Sequence, residues 1–119
     1  MNKICTDLLQ SKKLIALGID VYTADMFWKN GVSDKYIQCF TPFVSSGTNI
    51  NYDYDIPAWS LSALMELMNR NCYNISLNCH GAEWDIKFDD SEKYKAFTKD
   101  YAIDAAFEMV SWLKENGEI

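Results

Sequence analysis

The chain predicts an α+β fold: a two-layer sandwich with three main helices packed on one face of an antiparallel sheet. Tyr73, Ile75, Leu77 and Cys79 alternate with Asn74, Ser76 and Asn78, while Trp84, Ile86 and Phe88 alternate with Asp85, Lys87 and Asp89. A period of two marks half-buried strands. His80-Gly81-Ala82 between the two runs has the length and the glycine of a hairpin loop, so the strands pair antiparallel. Helical patterns flank these strands instead of alternating with each of them, which favours an α+β arrangement over a parallel sheet. The polar sets Asn74, Ser76, Asn78 and Asp85, Lys87, Asp89 are expected on the face left to solvent.

Each element has its own signal. Thr6 or Asp7 can cap a first helix running to about Leu17, with Gly18 where a left-handed residue ends it. Cys5, Leu8, Leu9, Ile15 and Ala16 form its expected apolar arc, into which Lys12 intrudes by snorkelling. Thr23 to Trp28 suggests a short helical turn that plants Met26, Phe27 or Trp28 on the core. Tyr36 to Phe43 is aromatic and β-branched, a strand whose end Pro42 confines to an edge, and Ser45 to Asn49 is a polar surface loop. Ser60 can cap a second helix with Leu61, Leu64, Met65 and Met68 on one side, ending between Asn69 and Asn71. A third strand is expected around Tyr94 to Thr98. Asp100 then caps a last helix from about Tyr101 to Glu115, ended by Gly117. Ala102, Ile103, Ala106, Phe107, Met109, Val110 and Leu113 fill its wide apolar arc, opposite Asp104, Glu108, Ser111 and Glu115.

A chain of 119 residues with 49% apolar content reads as one folded domain spanning 1–119. Eleven Lys and Arg against 17 Asp and Glu leave a net charge of -6, the wrong sign for direct nucleic-acid binding. No apolar run approaches the roughly 18 residues of a membrane span, and the charged start of the chain lacks a signal-peptide pattern. The expectation is therefore a cytoplasmic protein, with no membrane partner. Cys5, Cys39, Cys72 and Cys79 are expected as free thiols in apolar surroundings. Asn74-Ile75-Ser76 fits a glycosylation sequon, which a cytoplasmic chain would not use.

Catalytic constellations are not signalled. His80 is the single histidine, and its neighbour Cys79 would point to the opposite strand face, so the two do not pair as base and nucleophile. Cys72 and Cys79 lack zinc-site spacing. The five glycines are isolated, so no phosphate-cradling loop is read. Asp53 with Asp55 and Asp85 with Asp89 read as solvated acid rather than as paired acid-base groups. No catalytic, cofactor-binding or metal residue is assigned.

The most suggestive stretch is Tyr52-Asp53-Tyr54-Asp55, leading into Trp59. Aromatics interleaved with acids can anchor a cationic partner, since tyrosine brings rigid contact area and carboxylates steer positive charge. The plainer reading makes these aromatics covers over the core edge. Glu83, Asp85, Asp89, Asp90 and Glu92, relieved by Lys87, form a second candidate surface, read otherwise as ordinary solubility.

Several strings carry a resemblance. They are Cys5-Thr6-Asp7, Gln10 to Leu14, Leu17-Gly18, Thr23 to Met26, Ile56 to Leu61 and Ile103 to Val110. Together they resemble a family of small hypothetical proteins of gut Bacteroides-type bacteria, often carried on prophages and other mobile elements. The resemblance touches both ends and the middle of the chain and implies no activity, cofactor or catalytic residue. The expected function is a non-enzymatic protein-interaction module from a mobile element or prophage, an inhibitor or accessory factor that binds a cationic protein surface. One alternative is a small enzyme or ligand binder with a pocket between helices and sheet. The other is a structural component of a phage particle.

Overall fold

The computed structural model describes residues 3–28, 55–71 and 74–119. The chain divides into two compact units, Met1–Ala63 and Leu64–Ile119. Among the described residues are three α-helices and two antiparallel sheets, one of two strands and one of three. The α+β class is as expected, with the strands shared between two sheets instead of gathered into one. The expected strand at Tyr36 to Phe43 and the loop at Ser45 to Asn49 lie outside the described residues. No helix among the described residues is long and apolar enough to cross a membrane.

In the first unit, helix α1 (Leu8–Ala16) opens with a capping box. The Asp7 carboxylate accepts the Gln10 N–H at 2.8 Å, and the Gln10 side chain accepts the Asp7 N–H at 3.0 Å. Two N–H groups that have no partner within the helix are thereby satisfied. The helix closes at Gly18, whose φ of 89° is the left-handed conformation expected there. The Gly18 N–H donates to the Ile15 carbonyl and the Ile19 N–H to that of Leu14, the paired bonds of a Schellman motif. The apolar arc is rotated from the expected one: Leu9 is 80% exposed and Ala16 and Lys12 are exposed, while Ser11 and Leu14 are buried. The cause is a hydroxyl pair. Ser11 Oγ lies 2.8 Å from Thr6 Oγ1, so a polar residue can occupy the buried stripe with its hydrogen bond made.

The segment expected as a helical turn at Thr23 to Trp28 is instead a single 3-10 turn, Val21–Thr23, followed by strand β1 (Met26–Trp28). Strand β2 (Ile56–Ala58) pairs with it antiparallel, with Phe27 opposite Pro57. A tertiary partner has overridden local helical tendency here. Asp20 caps the turn by accepting the Tyr22 N–H at 2.9 Å.

Helix α2 (Leu61–Asn71) starts where Ser60 predicts, and the Ser60 hydroxyl accepts the Ala63 N–H at 3.1 Å. Ala63, Leu64, Leu67 and Met68 are its buried residues. In the second unit, strands β3 (Ile75–His80), β4 (Glu83–Asp89) and β5 (Tyr94–Lys99) form an antiparallel meander in that order. His80 pairs with Glu83, so the hairpin loop is the two residues Gly81 and Ala82, and His80 belongs to the strand. Gly81 has φ 59°, the positive value that two-residue hairpin turns require.

Helix α3 (Ala102–Glu115) packs on β4 and β5. It covers Ile86, with no exposed surface, and Phe88, 3% exposed, whose ring centroid lies 5.9 Å from that of Trp112. Tyr101 takes the N-cap position expected of Asp100, and no side chain caps the helix there. Ser111, expected on the polar side, is 2% exposed, because the buried arc runs almost unbroken from Ile103 to Leu113. A second Schellman motif ends α3, with Gly117 at φ 72° and the Glu118 N–H donating to the Leu113 carbonyl.

Cys5 and Cys79 depart from the expected free core thiols, each in one respect, while Cys39 and Cys72 lie outside the described residues. Cys5 is buried and disulfide-bonded, while Cys79 is a free thiol but exposed. Cys79 ends up exposed because it lies at the hairpin end of β3, away from the cover that α3 gives to β4 and β5.

Candidate functional site

The anchoring surface expected from Asp55 and Trp59 is corrected by their burial. Asp55 is 3% exposed and Trp59 has no exposed surface. Antiparallel pairing of β1 with β2 draws Pro57 and Ala58 into the first unit, and Trp59 follows them. Its backbone N–H donates to Thr6 Oγ1 at 3.1 Å, its carbonyl accepts the Thr6 N–H at 2.8 Å, and its indole N–H donates to Thr23 Oγ1 at 2.9 Å. Trp59 is a structural residue in a fully hydrogen-bonded setting. Tyr52, Asp53 and Tyr54 lie outside the described residues.

The second candidate surface is formed. Strand alternation places Asn74, Ser76, Asn78 and His80, then Glu83, Asp85, Lys87 and Asp89, then Tyr94, Ala96 and Thr98 on one face of the meander, opposite the Ile86 and Phe88 face that α3 covers. The β3–β4 register sets Asn78 beside Asp85 and Ser76 beside Lys87. The β4–β5 register sets Thr98 on the other side of Asp85 and Tyr94 beside Asp89.

Asp85 is the centre of this face. One carboxylate oxygen accepts the Thr98 hydroxyl at 2.7 Å, and the other lies 3.2 Å from His80 Nε2. His80 is the diagonal neighbour of Asp85, two residues along from its direct opposite Glu83, and so within reach of a long side chain. The Asp85 side chain is 18% exposed and that of His80 67%. The order of groups decides the chemistry. A base-activated nucleophile needs the imidazole between acid and hydroxyl, whereas here the carboxylate sits between hydroxyl and imidazole. The Thr98 hydroxyl gives its hydrogen bond to a carboxylate, so what it does is hold Asp85 in place. Cys79 does not join the cluster, its thiol contacting the Gly81 carbonyl at 3.5 Å.

The remaining acids divide by role. Glu83 and Asp89 are exposed on the face. Asp90 is engaged in the β4–β5 turn, its carboxylate accepting the Glu92 N–H at 2.7 Å and the Lys93 N–H at 3.3 Å. Lys93 reaches away to Glu118 at 2.6 Å. That carboxylate raises the Lys93 pKa above its ordinary 10.5, through the hydrogen bond and then through charge. Lys95 and Lys99 lie on the opposite side of the sheet by strand parity, and the Lys95 ammonium sits 5.1 Å from the Phe97 ring centroid. The outward face thus keeps Lys87 among its acids, and Glu83, Asp85 and Asp89 dominate it.

The His80–Asp85–Thr98 cluster escaped the sequence reading, although part of its signal was there. A two-residue turn at Gly81-Ala82 fixes the register that puts Asp85 diagonal to His80. Thr98 required the second register as well, which depends on how the Asp90–Lys93 turn closes. Among the described residues, no group of three or more His, Cys, Asp or Glu is arranged to hold a metal ion. Comparison with family models, with curated proteins and with solved structures finds no match to this chain.

Proposed function

We propose that this chain is a protein-interaction module that binds a cationic protein surface through the outward face of β3, β4 and β5. The observation that carries the reading is the gathering of Glu83, Asp85 and Asp89 on one solvent-facing sheet side, with Tyr94 60% exposed beside Asp89. Charge complementarity on such a face speeds encounter and selects against acidic partners. Thr98 fixes Asp85 before any partner arrives, which reduces the ordering cost of binding. Tyr94 supplies an aromatic anchor at the edge of the same face.

On the family resemblance, the module serves a mobile element as an inhibitor or accessory factor. The test is affinity capture from host lysate with the wild-type chain and with a Glu83→Gln, Asp85→Asn, Asp89→Asn variant. A cationic protein held by the wild type, released by salt and absent from the folded variant is the expected result. A bound set that neither salt nor the variant alters would overturn the assignment.

A further inference from the structure

The two edges of the three-stranded sheet are built differently. Strand β5 carries Lys95 and Lys99 on its inward side and follows Lys93, and inward-pointing lysines are a standard guard against edge-to-edge pairing. Strand β3 has no Lys, Arg, Asp, Glu or Pro between Ile75 and His80 and no bulge in its register with β4. Among the described residues β4 is its one neighbour. Ser76, Asn78, Cys79 and His80 are exposed, and Ile75 and Leu77 are half-buried.

The register shows which backbone groups the edge presents. The Asp89 N–H donates to the carbonyl of Asn74 directly opposite, so Asn74, Ser76, Asn78 and His80 exchange bonds with β4. By alternation, the N–H and C=O groups of Ile75, Leu77 and Cys79 point away from β4. Three consecutive donor-acceptor sites are therefore set at two-residue spacing and centred on Leu77.

We propose that β3 is the pairing edge of a homodimer, in which β3 of a second copy adds antiparallel across a two-fold axis at Leu77. In that register Leu77 opposes Leu77 of the partner subunit, Ile75 opposes Cys79 of the partner subunit, and Ser76 opposes Asn78 of the partner subunit. Every outward-pointing N–H meets a carbonyl, apolar side chains meet apolar ones, and no like charges are opposed. The net charge of -6 does not forbid this, because the acidic strands stay apart. β4 and its symmetry mate are separated by three strand spacings, roughly 14 Å. That exceeds the roughly 8 Å screening length at physiological salt.

The test is sedimentation of the wild-type chain across a concentration series, against a Ser76→Lys, Asn78→Lys variant. Both side chains are exposed in the single chain, so folding is retained while lysines are set opposite one another in the dimer. The expected result is a rise from 13.7 kDa to twice that mass in the wild type, lost in the variant. An independent arm uses Ile75→Cys, which sets a thiol opposite Cys79 of the partner subunit at a Cα separation of about 5.5 Å, within disulfide range. A covalent dimer that forms on oxidation and disappears when Cys79→Ser is added supports the register. A wild-type chain monomeric at every concentration, with β3 left to an extended segment of another protein, overturns the proposal. So does a dimer indifferent to the lysines.

Discussion

The Asp25 carboxylate holds Ser60 at two points, accepting its backbone N–H at 2.9 Å and its hydroxyl at 2.5 Å. Because the Ser60 hydroxyl donates its hydrogen bond to Asp25, its lone pairs are free for the Ala63 N–H at the start of α2. The cap is thus positioned by a residue 35 positions earlier in the chain. Ser60→Ala is expected to cost about 1 kcal/mol as a lost helix cap. Asp25→Ala should cost about 1–3 kcal/mol, since it leaves the Ser60 N–H unsatisfied. Urea unfolding of both single variants and the double variant checks this, and the effects should fall short of additive.

Thr6 is the other junction. Its hydroxyl accepts the Trp59 N–H and contacts Ser11, while its carbonyl accepts the Trp28 indole N–H at 3.0 Å. Thr6→Val keeps the shape and removes the hydroxyl, so we expect a loss of about 1–3 kcal/mol from the stranded Trp59 N–H. Thr6→Val leaves the Ser11 hydroxyl with a long 3.4 Å bond to the Thr6 carbonyl, so adding Ser11→Ala removes a poorly satisfied group, and the double variant should be less destabilised than the sum of the singles. Equilibrium denaturation measures both.

Ser111 carries a buried hydroxyl with no hydrogen-bond partner among the described residues. Ser111→Ala deletes that polar atom and improves helix propensity, so it is expected to stabilise by about 1 kcal/mol. For a chain of this size the melting temperature should rise by roughly 4 °C. Calorimetry decides it, and a fall in melting temperature would mean that the hydroxyl is used.

The Lys93–Glu118 pair sets an alkaline dependence. The folded pKa of Lys93 is raised, so its contribution is full below about 10.5 and fades as pH rises through the higher folded value. The difference in melting temperature between wild type and Glu118→Gln should therefore shrink above that pH. It should also shrink in high salt, because the Lys93 side chain is 49% exposed. Thermal melts from neutral pH to about pH 11 follow the amine's titration range and test the sign.

What was legible in the residues followed periodicity and punctuation. The Ile75 to Phe88 alternation, the turn glycine Gly81 and the apolar arc of α3 each carry a local signal that packing reinforces. The β1–β2 pair was hidden, because strands of 3 residues show no period and their pairing joins Phe27 to Pro57 across a long intervening segment. Burial of Ser11 and Ser111 was equally hidden, since a hydroxyl enters a core by virtue of its neighbours and not its own type. The anchoring role read into Asp55 and Trp59 failed for the same reason: the partners of Trp59 are Thr6 and Thr23, far away in the chain.

The Thr6–Trp59 bonds set a clock on biosynthesis. As a growing chain leaves the ribosome, Thr6 emerges before its partner Trp59, which arrives 53 residues later. Until then the start of α1 has its capping box and no floor to rest on. The meander and α3 face the opposite situation, for β3, β4, β5 and α3 are consecutive and each can dock as soon as it is made. Contacts close in sequence form fast, and those that must close a long loop form late. The residues at the start of α1 are thus held in waiting, and the order in which this stretch is written differs from the order in which it is finished.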